Sequence, residues 1–341
     1  MQAKGRNGFI ILLFIAFLII GSSCSTSPTA TLGTDQVTVL RLAHNHGESH
    51  PVHQSLKKFA ELVEEKTDGK MKVDLYAGGK LGSEREVIEL LQAGSIQISK
   101  VSASALEPFA NVYSIFSLPY IFESKEHYYE VMDSSYVQEI YQSTKNKNFK
   151  GLTFYDAGSR NIYTRNKKVE SPDDLAGMKI RVQPSPTTTK MISLMGGAPT
   201  PMSYGEVFTS LQSGVVDGAE NNEMALTTDN HGEVAKAYTY TEHAFVPDVL
   251  IINHEVWDKL PDNFQTAITE ASIESTEYHK VLWEKETENA KAKAKEKGVS
   301  FYEIDKSAFE EAVQPMHESF KQDKELQKVY ENFRSLAENG S

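Results

Sequence analysis

The sequence predicts an α/β protein of two similar lobes, each a sheet covered by helices, that flank a cleft and are joined by a hinge and one long helix. Three observations lead there. Strand-like runs alternate with helix-like stretches in two successive sets, a twelve-residue pattern recurs between the sets, and residues 262–297 contain neither proline nor glycine.

In chain order, the first element is a leader. Lys4 and Arg6 precede twelve apolar residues, Phe9 to Ile20, followed by Gly21, Ser22, Ser23 and Cys24. The run is short for a membrane span and has the basic, apolar, small-residue order of a secretory signal. Cys24 is the single cysteine, so no intramolecular disulfide can form. It stands where a bacterial lipobox places the lipidated residue, with Gly21 in place of the usual leucine; the alternative is a plain secretory signal. Residues 25–36, rich in Ser and Thr with Pro28 and Gly33, read as a flexible spacer.

The first set has strands at Val37–Ala43, Met71–Tyr76 and Ile96–Ser102 and helices at 51–67 and 84–93. The second has strands at Leu152–Asp156, Met178–Val182 and Val215–Ala219 and helices at 186–195 and 204–213. Such alternation marks a parallel sheet covered by helices. The recurring pattern is SEREVIELLQAG at 83–94 and SYGEVFTSLQSG at 203–214, which share Ser, Glu, Val, Leu, Gln and Gly at the same spacing. Ser83 with Glu86, and Ser203 with Glu206, have capping-box spacing, while Gly94 and Gly214 suit the left-handed residue that closes a helix. Any capped helix before a strand can look like this by chance; the reading adopted is two related lobes. Their cleft would lie at the carboxyl ends of the strands, where open α/β sheets bind ligands, and a hinge would close it. From Pro261 to about Lys297 the chain is rich in Ala, Glu and Lys and carries Phe264, Ile268, Tyr278 and Leu282. It reads as one long helix lying across both lobes.

A net charge of −12 argues against nucleic-acid binding. Removal of the leader takes away Lys4 and Arg6 and no acid, which strengthens that argument. Enzyme signatures are missing: there is no G-x-S-x-G, no H-E-x-x-H and no dinucleotide fingerprint, and GGKLG at 78–82 lacks the hydroxyl residue of a phosphate loop. No cofactor is expected. In HNHGESHPVH, His44, His46, His50 and His53 have donor atoms that suit zinc. The same residues can instead cap the next helix or hydrogen-bond a polar ligand, with His44 a binding candidate, and no metal is assigned.

Lys100, Arg160 and Arg181 each fall at or just beyond the end of a predicted strand, and cations gathered at a cleft of an acidic chain call for an anionic ligand. Arginine meets a carboxylate with a flat fork of donors. Met178, Ile180 and Val182 alternate with Lys179, Arg181 and Gln183, so Arg181 leaves the apolar face for water or for something that needs it. The alternative for each cation is an ion pair with one of the 47 acidic residues. Asn221, in DGAENN, follows the last strand of the second set, where an amide can serve hydroxyls or a carboxylate, or hold a turn.

GGKLGSEREVIELLQAG, FSLPYIF, YDAGSRNIYT, DLAGMKIRV, GAPTPMSYGEVFTSLQSGVVDGAENN and TEHAFVPDVLIINHEVWDKLP are similar, in order and spacing from about Val37 to about Phe333, to the substrate-binding proteins of tripartite ATP-independent periplasmic (TRAP) transporters, DctP type. The resemblance implies a two-lobed periplasmic-binding-protein-like fold, two α/β domains with a hinge and a long connecting helix. Behind the leader, residues 1–23, and the lipidated spacer, 24–36, lobe I would comprise 37–157 plus 248–285 and lobe II 158–247 plus 286–335. It implies a monomeric binding protein, not an enzyme, anchored outside the cell membrane through Cys24. The protein would capture an organic acid anion and deliver it to the membrane permease subunits of a sodium-driven transporter.

By the same resemblance Arg181 forms the salt bridge to the ligand carboxylate, Arg160 assists it, and Asn221 and Tyr204 line the pocket. Asn45, Glu84 and Asp248 would meet the ligand's far end. Where sialic-acid binders carry an aromatic residue and then a glutamate, this chain has Lys100 and Ser102. It resembles instead the branch that binds hexuronates such as glucuronate and galacturonate. C4-dicarboxylates are the alternative, with Lys100 answering a second carboxylate. A zinc-binding lipoprotein and an extracytoplasmic sugar-acid enzyme are the competing classes.

Overall fold

Eleven strands, β1 to β11, form two sheets among residues 37–339, the part of the chain described by the computed structural model. The leader, Cys24 and the spacer lie outside the described residues. In the first sheet the order is β2-β1-β3-β10-β4, with β1 Thr38–Ala43, β2 Met71–Tyr76, β3 Ile98–Ser102, β4 Phe149–Tyr155 and β10 Asp248–Asn253. β3 and β10 are buried along their whole length, as strands covered on both faces must be. In the second sheet the order is β11-β9-β5-β8-β6-β7, with β5 Arg160–Thr164, β6 Lys179–Val182, β7 Ala198–Pro201, β8 Gly218–Asn221, β9 Ala237–Ala244 and β11 Ser300–Glu303. The two sheets with their helices are the two lobes.

Each sheet is mixed, which corrects the expectation of parallel sheets. β1 is parallel to β2 and β3, and β6 to β7 and β8, but β10 runs antiparallel to β3 and β4, and β5 antiparallel to β8 and β9. The cause is the chain path. It leaves the first sheet through residues 156–159, from β4 to β5, and returns through 245–247, from β9 to β10. In the two sheets Tyr155 pairs with Asp248 and Arg160 with Ala244, so the two crossings run side by side.

The recurring pattern forms as its chemistry dictates. Ser83 caps the helix Glu84–Gln92 in a reciprocal capping box with Glu86, and Gly94 closes it at φ 74°. In the second copy the first turn, Tyr204–Glu206, is a 3-10 helix, and the α-helix proper is Val207–Ser213. Gly214 follows at φ 75°. The strand expected at Val215–Ala219 begins only at Gly218, because Val216 still donates to the Ser210 carbonyl and Val215 is 54% exposed. Asn221 therefore ends β8 and does not follow it. Arg160 opens β5, a strand beyond the one expected at Leu152–Asp156.

The long helix spans Asp262–Glu296, about 52 Å at 1.5 Å per residue. Small and hydroxyl residues let it lie close on β4: the Ser275 hydroxyl is 3.0 Å from that of Tyr155, and Thr276 is 2.6 Å from Thr153. It also packs on the helix Pro51–Lys66 of the first lobe and on Met224–Thr227, which follows β8 of the second.

Candidate functional site

The edges of the crossings and the turns after β1, β6 and β8 converge on a cleft with about 480 Å³ free of protein atoms, open solvent at its mouth included. Arg160, Arg181, Gln183, Tyr204 and Asn221 come from the second lobe, and Asn45, His46, His50, Glu84 and Asp248 from the first, with Trp283 of the long helix between them. Seven of the nine sequence-predicted binding residues thus meet at one place.

The two arginines differ in their partners. Arg160 is paired within the protein: its Nε and Nη2 donate to the two carboxylate oxygens of Glu220, Nη2 also to the Glu220 carbonyl at 2.7 Å, and Nη1 to Asn221 Oδ1 at 2.9 Å. Burial opposes ionisation of Glu220, yet Arg160 and His243 hold its pKa down at about 2. Arg181 is only 2% exposed and has no carboxylate partner among the described residues. Its Nε and Nη2 both donate to the Met202 carbonyl, at 3.2 and 2.9 Å, and its guanidinium carbon lies 5.6 Å from the centre of the Tyr204 ring. Burial pulls its pKa down, with Glu220 opposing. A buried cation without a counter-ion is costly unless something arrives to pair with it.

Strand parity is thus borne out for Arg181 only in part. The side chain is off the outer surface altogether, since Ile180, Arg181 and Val182 are all buried.

In the first lobe the polar groups hold one another. Lys100 is fully buried and donates to Asn45 Oδ1 at 2.9 Å and to Asp248 Oδ2 at 3.0 Å. It sits behind the wall and does not line the cleft. Burial works against the Asp248 carboxylate, but the Lys100 ammonium and His46 hold its pKa well below the usual range. Glu84 accepts from the Ser102 backbone N–H at 2.9 Å. His44 also stands behind the wall, its Nε2 3.0 Å from Nδ1 of His53, and burial, then Lys100, lowers its pKa to about 2.

The four clustered histidines do not share one point. His44 pairs with His53, while His46 stacks on His50 at 3.8 Å. His46, His50 and Asp229 do bring one donor atom each within 4.8 Å of one another. However, His50 caps the helix Pro51–Lys66, its Nδ1 accepting from the Val52 N–H at 3.2 Å. That fixes the proton on Nε2, so a metal there would have to break the cap. Asp229 already accepts from the Tyr204 hydroxyl at 2.7 Å. The donor set fits hydrogen bonding better than metal ligation.

Sequence reasoning missed Gln183 as part of the wall, while His46 and His50, weighed there as helix caps or hydrogen-bonding partners of a polar ligand, do line it. Gln183 Oε1 and His46 Nδ1 are buried without a hydrogen-bond partner, and such atoms await one. Parity offered a signal for Gln183, which shares the side of Arg181. The cleft therefore presents one unpaired guanidinium, a protonated His50 Nε2, and acceptors on Gln183, Glu84 and Asp248. That array suits a ligand with a carboxylate and several hydroxyls.

Residues 42–323 match the DctP family description, bacterial extracellular solute-binding protein, family 7. A TRAP periplasmic solute-binding protein from Anaerococcus prevotii, solved with bound α/β-D-glucuronate, is 42% identical with a TM-score of 0.86, over 89% of this chain and 99% of its own. A second, from Sulfitobacter with bound β-D-galacturonate, is 34% identical with a TM-score of 0.84, over 87% and 100% of the two chains. The C4-dicarboxylate-binding periplasmic protein DctP of Rhodobacter capsulatus is 30% identical over 88% of this chain and 91% of its own.

Proposed function

The chain belongs to the DctP family of bacterial extracellular solute-binding proteins, and from that premise we propose that it captures a hexuronate, glucuronate or galacturonate, and hands it to the permease subunits of a TRAP transporter. The observation that carries this reading is Arg181, buried and without a carboxylate partner among the described residues. A ligand carboxylate supplies the missing charge. The hydroxyls of a sugar acid then meet Asn221, Gln183, Glu84, Asp248 and His50, and Arg160, locked to Glu220, fixes Asn221 and does not itself bind in the first instance.

Binding proceeds in two stages in this reading. The anion docks on the second lobe at Arg181, and closure of the first lobe completes the hydrogen bonds. Because Arg181 is poorly hydrated once the cleft shuts, the closed form is favoured only when an anion is inside, and the ligand shifts the open and closed populations by its differential affinity. No bond is made or broken.

The dicarboxylate reading draws on the Rhodobacter relative, but Lys100, which was to answer a second carboxylate, is spent on Asp248 and Asn45. Among the described residues lining the cleft, Arg181 is the one cation without a carboxylate, which favours a single acidic group on the part of the ligand held there.

Outside the described residues, Cys24 would carry the lipid that holds the protein at the cell membrane; no helix among the described residues is long and apolar enough to cross one. The decisive experiment is a thermal-shift screen of uronic acids, aldonic acids and C4-dicarboxylates, followed by calorimetry. Stabilisation by the uronates above the other two groups is expected; stabilisation by C4-dicarboxylates alone would overturn the assignment.

A further inference from the structure

A second compartment adjoins the cleft. Asn45, Glu84, Arg181 and Tyr204 line both, so the two meet at the unpaired cation. On the same measure the outer compartment has about 990 Å³ free of protein atoms against about 480 Å³ inside, open solvent at the mouth included in both.

Its own walls differ in chemistry from the inner ones. Ala105, Pro108 and Phe109 on one side and Pro184 on the other offer C–H surface in place of amides and carboxylates. Phe109 is half-buried, and the Arg85 guanidinium lies 5.8 Å from the centre of its ring. Among the described residues Arg85 has one ion pair, an exposed one with Glu89, four residues on, at 3.1 Å. Pairs of that kind are weak and readily exchanged for a ligand.

A pyranose ring has the matching surface, a C–H face with a rim of hydroxyls, and a carboxylate on it would find Arg85. Resting on the sugar-acid reading above, we propose that the cleft accepts uronate disaccharides, with one residue's carboxylate on Arg181 in the inner compartment and the second ring against Phe109, its carboxylate turned to Arg85. The outer compartment, which shares four residues of its wall with the inner one, gives a substituent on the first ring a place to lie. The ligand class then widens from free monosaccharide acids to the dimers that enzymatic cleavage of a polyuronate releases.

The test is calorimetry of the full mature chain with galacturonate, glucuronate, digalacturonate and 1,4-linked diglucuronate, on wild type and on Phe109→Ala and Ala105→Trp. A dimer is expected to bind within about tenfold of its monomer. Each variant should weaken the dimer about tenfold or more and move the monomer less than about threefold, since neither residue lines the inner compartment. If Ala105→Trp does not fold, Phe109→Ala decides alone. Monomer binding with both dimers excluded overturns the proposal while leaving the sugar-acid reading intact. Dimer binding untouched by the variants also overturns it, and failure of every uronate to bind overturns the reading beneath it.

Discussion

Arg181→Lys separates charge from geometry at the heart of the cleft. Arginine has five N–H donors, of which Nε and Nη2 each spend one on the Met202 carbonyl, while Nη1 has no protein acceptor among the described residues. The fork can therefore meet a carboxylate with two charged hydrogen bonds. Lysine keeps the charge and most of the buried stem but offers a point, so one of the two is lost. At about 1.5–3 kcal/mol for a hydrogen bond to a charged group, the dissociation constant should rise about 10- to 150-fold. A thermal or urea melt reads the same quantity: ligand at about one hundred times the wild-type Kd stabilises wild type by about 2.7 kcal/mol and the variant by only about 0.3–1.4 kcal/mol. The ligand-free melts of the two proteins should agree closely, which shows the fold intact. Wild-type calorimetric affinity in the variant would refute the assignment of Arg181 as the carboxylate anchor.

Glu220→Gln removes the carboxylate that Arg160 grips with both Nε and Nη2 and leaves a buried guanidinium unpaired; the urea midpoint should fall by the equivalent of about 3–5 kcal/mol, and a loss under 1 kcal/mol would argue that the pair is not formed. Stability should decline as pH falls below about 6.5, ahead of the carboxylate range. Burial lowers the pKa values of His44, His50, His231 and His279 from 6.5, so the unfolded chain takes up protons first. Below about 4.5 the protonation of Glu220, held at about 2 in the fold, should add a further loss. Denaturant midpoints between pH 7.5 and 3 check both steps, and a flat profile from 7 to 5 would contradict the first. Cys24→Ser should move the protein from the membrane fraction to the soluble one, as measured by fractionation, without altering ligand affinity; an unchanged distribution would rule out the lipid anchor.

The elements legible in the sequence were those whose signals are local. Ser83, Glu86 and Gly94 cap a helix from within twelve residues, and the long helix declares itself by the lack of proline and glycine. The cations were legible as candidates for the same reason, since KIRV and GSR stand beside strands. Their partners were not. Whether Arg160 or Arg181 finds a protein carboxylate depends on Glu220 of β8, placed by the antiparallel register that sets Ile162 opposite Glu220. Lys100 meets Asp248 only because β10 enters the first sheet beside β3, a pairing that no periodicity within either strand encodes. The polarity of His50 likewise depends on one cap, the Val52 N–H on Nδ1, which decides between a metal ligand and a hydrogen-bond donor. The close approach of β4 to the helix Ser135–Ser143 rests on Gly151, where a Cβ would stand 2.4 Å from the Tyr141 ring; spacing does not show that contact either.

The place of β10 in the first sheet bears on when the protein can fold as it is made. Synthesis runs from the amino end, and β1, β2, β3 and β4 are all complete by residue 155, yet β3 and β4 cannot be joined until residues 248–253 arrive to lie between them. The second sheet waits longer, because its edge strand β11 lies at 300–303. Neither core can close on a nascent chain that is much shorter than the finished one. This strand order is itself a timer: it keeps the chain open until nearly all of it has been made and then lets both lobes lock almost together.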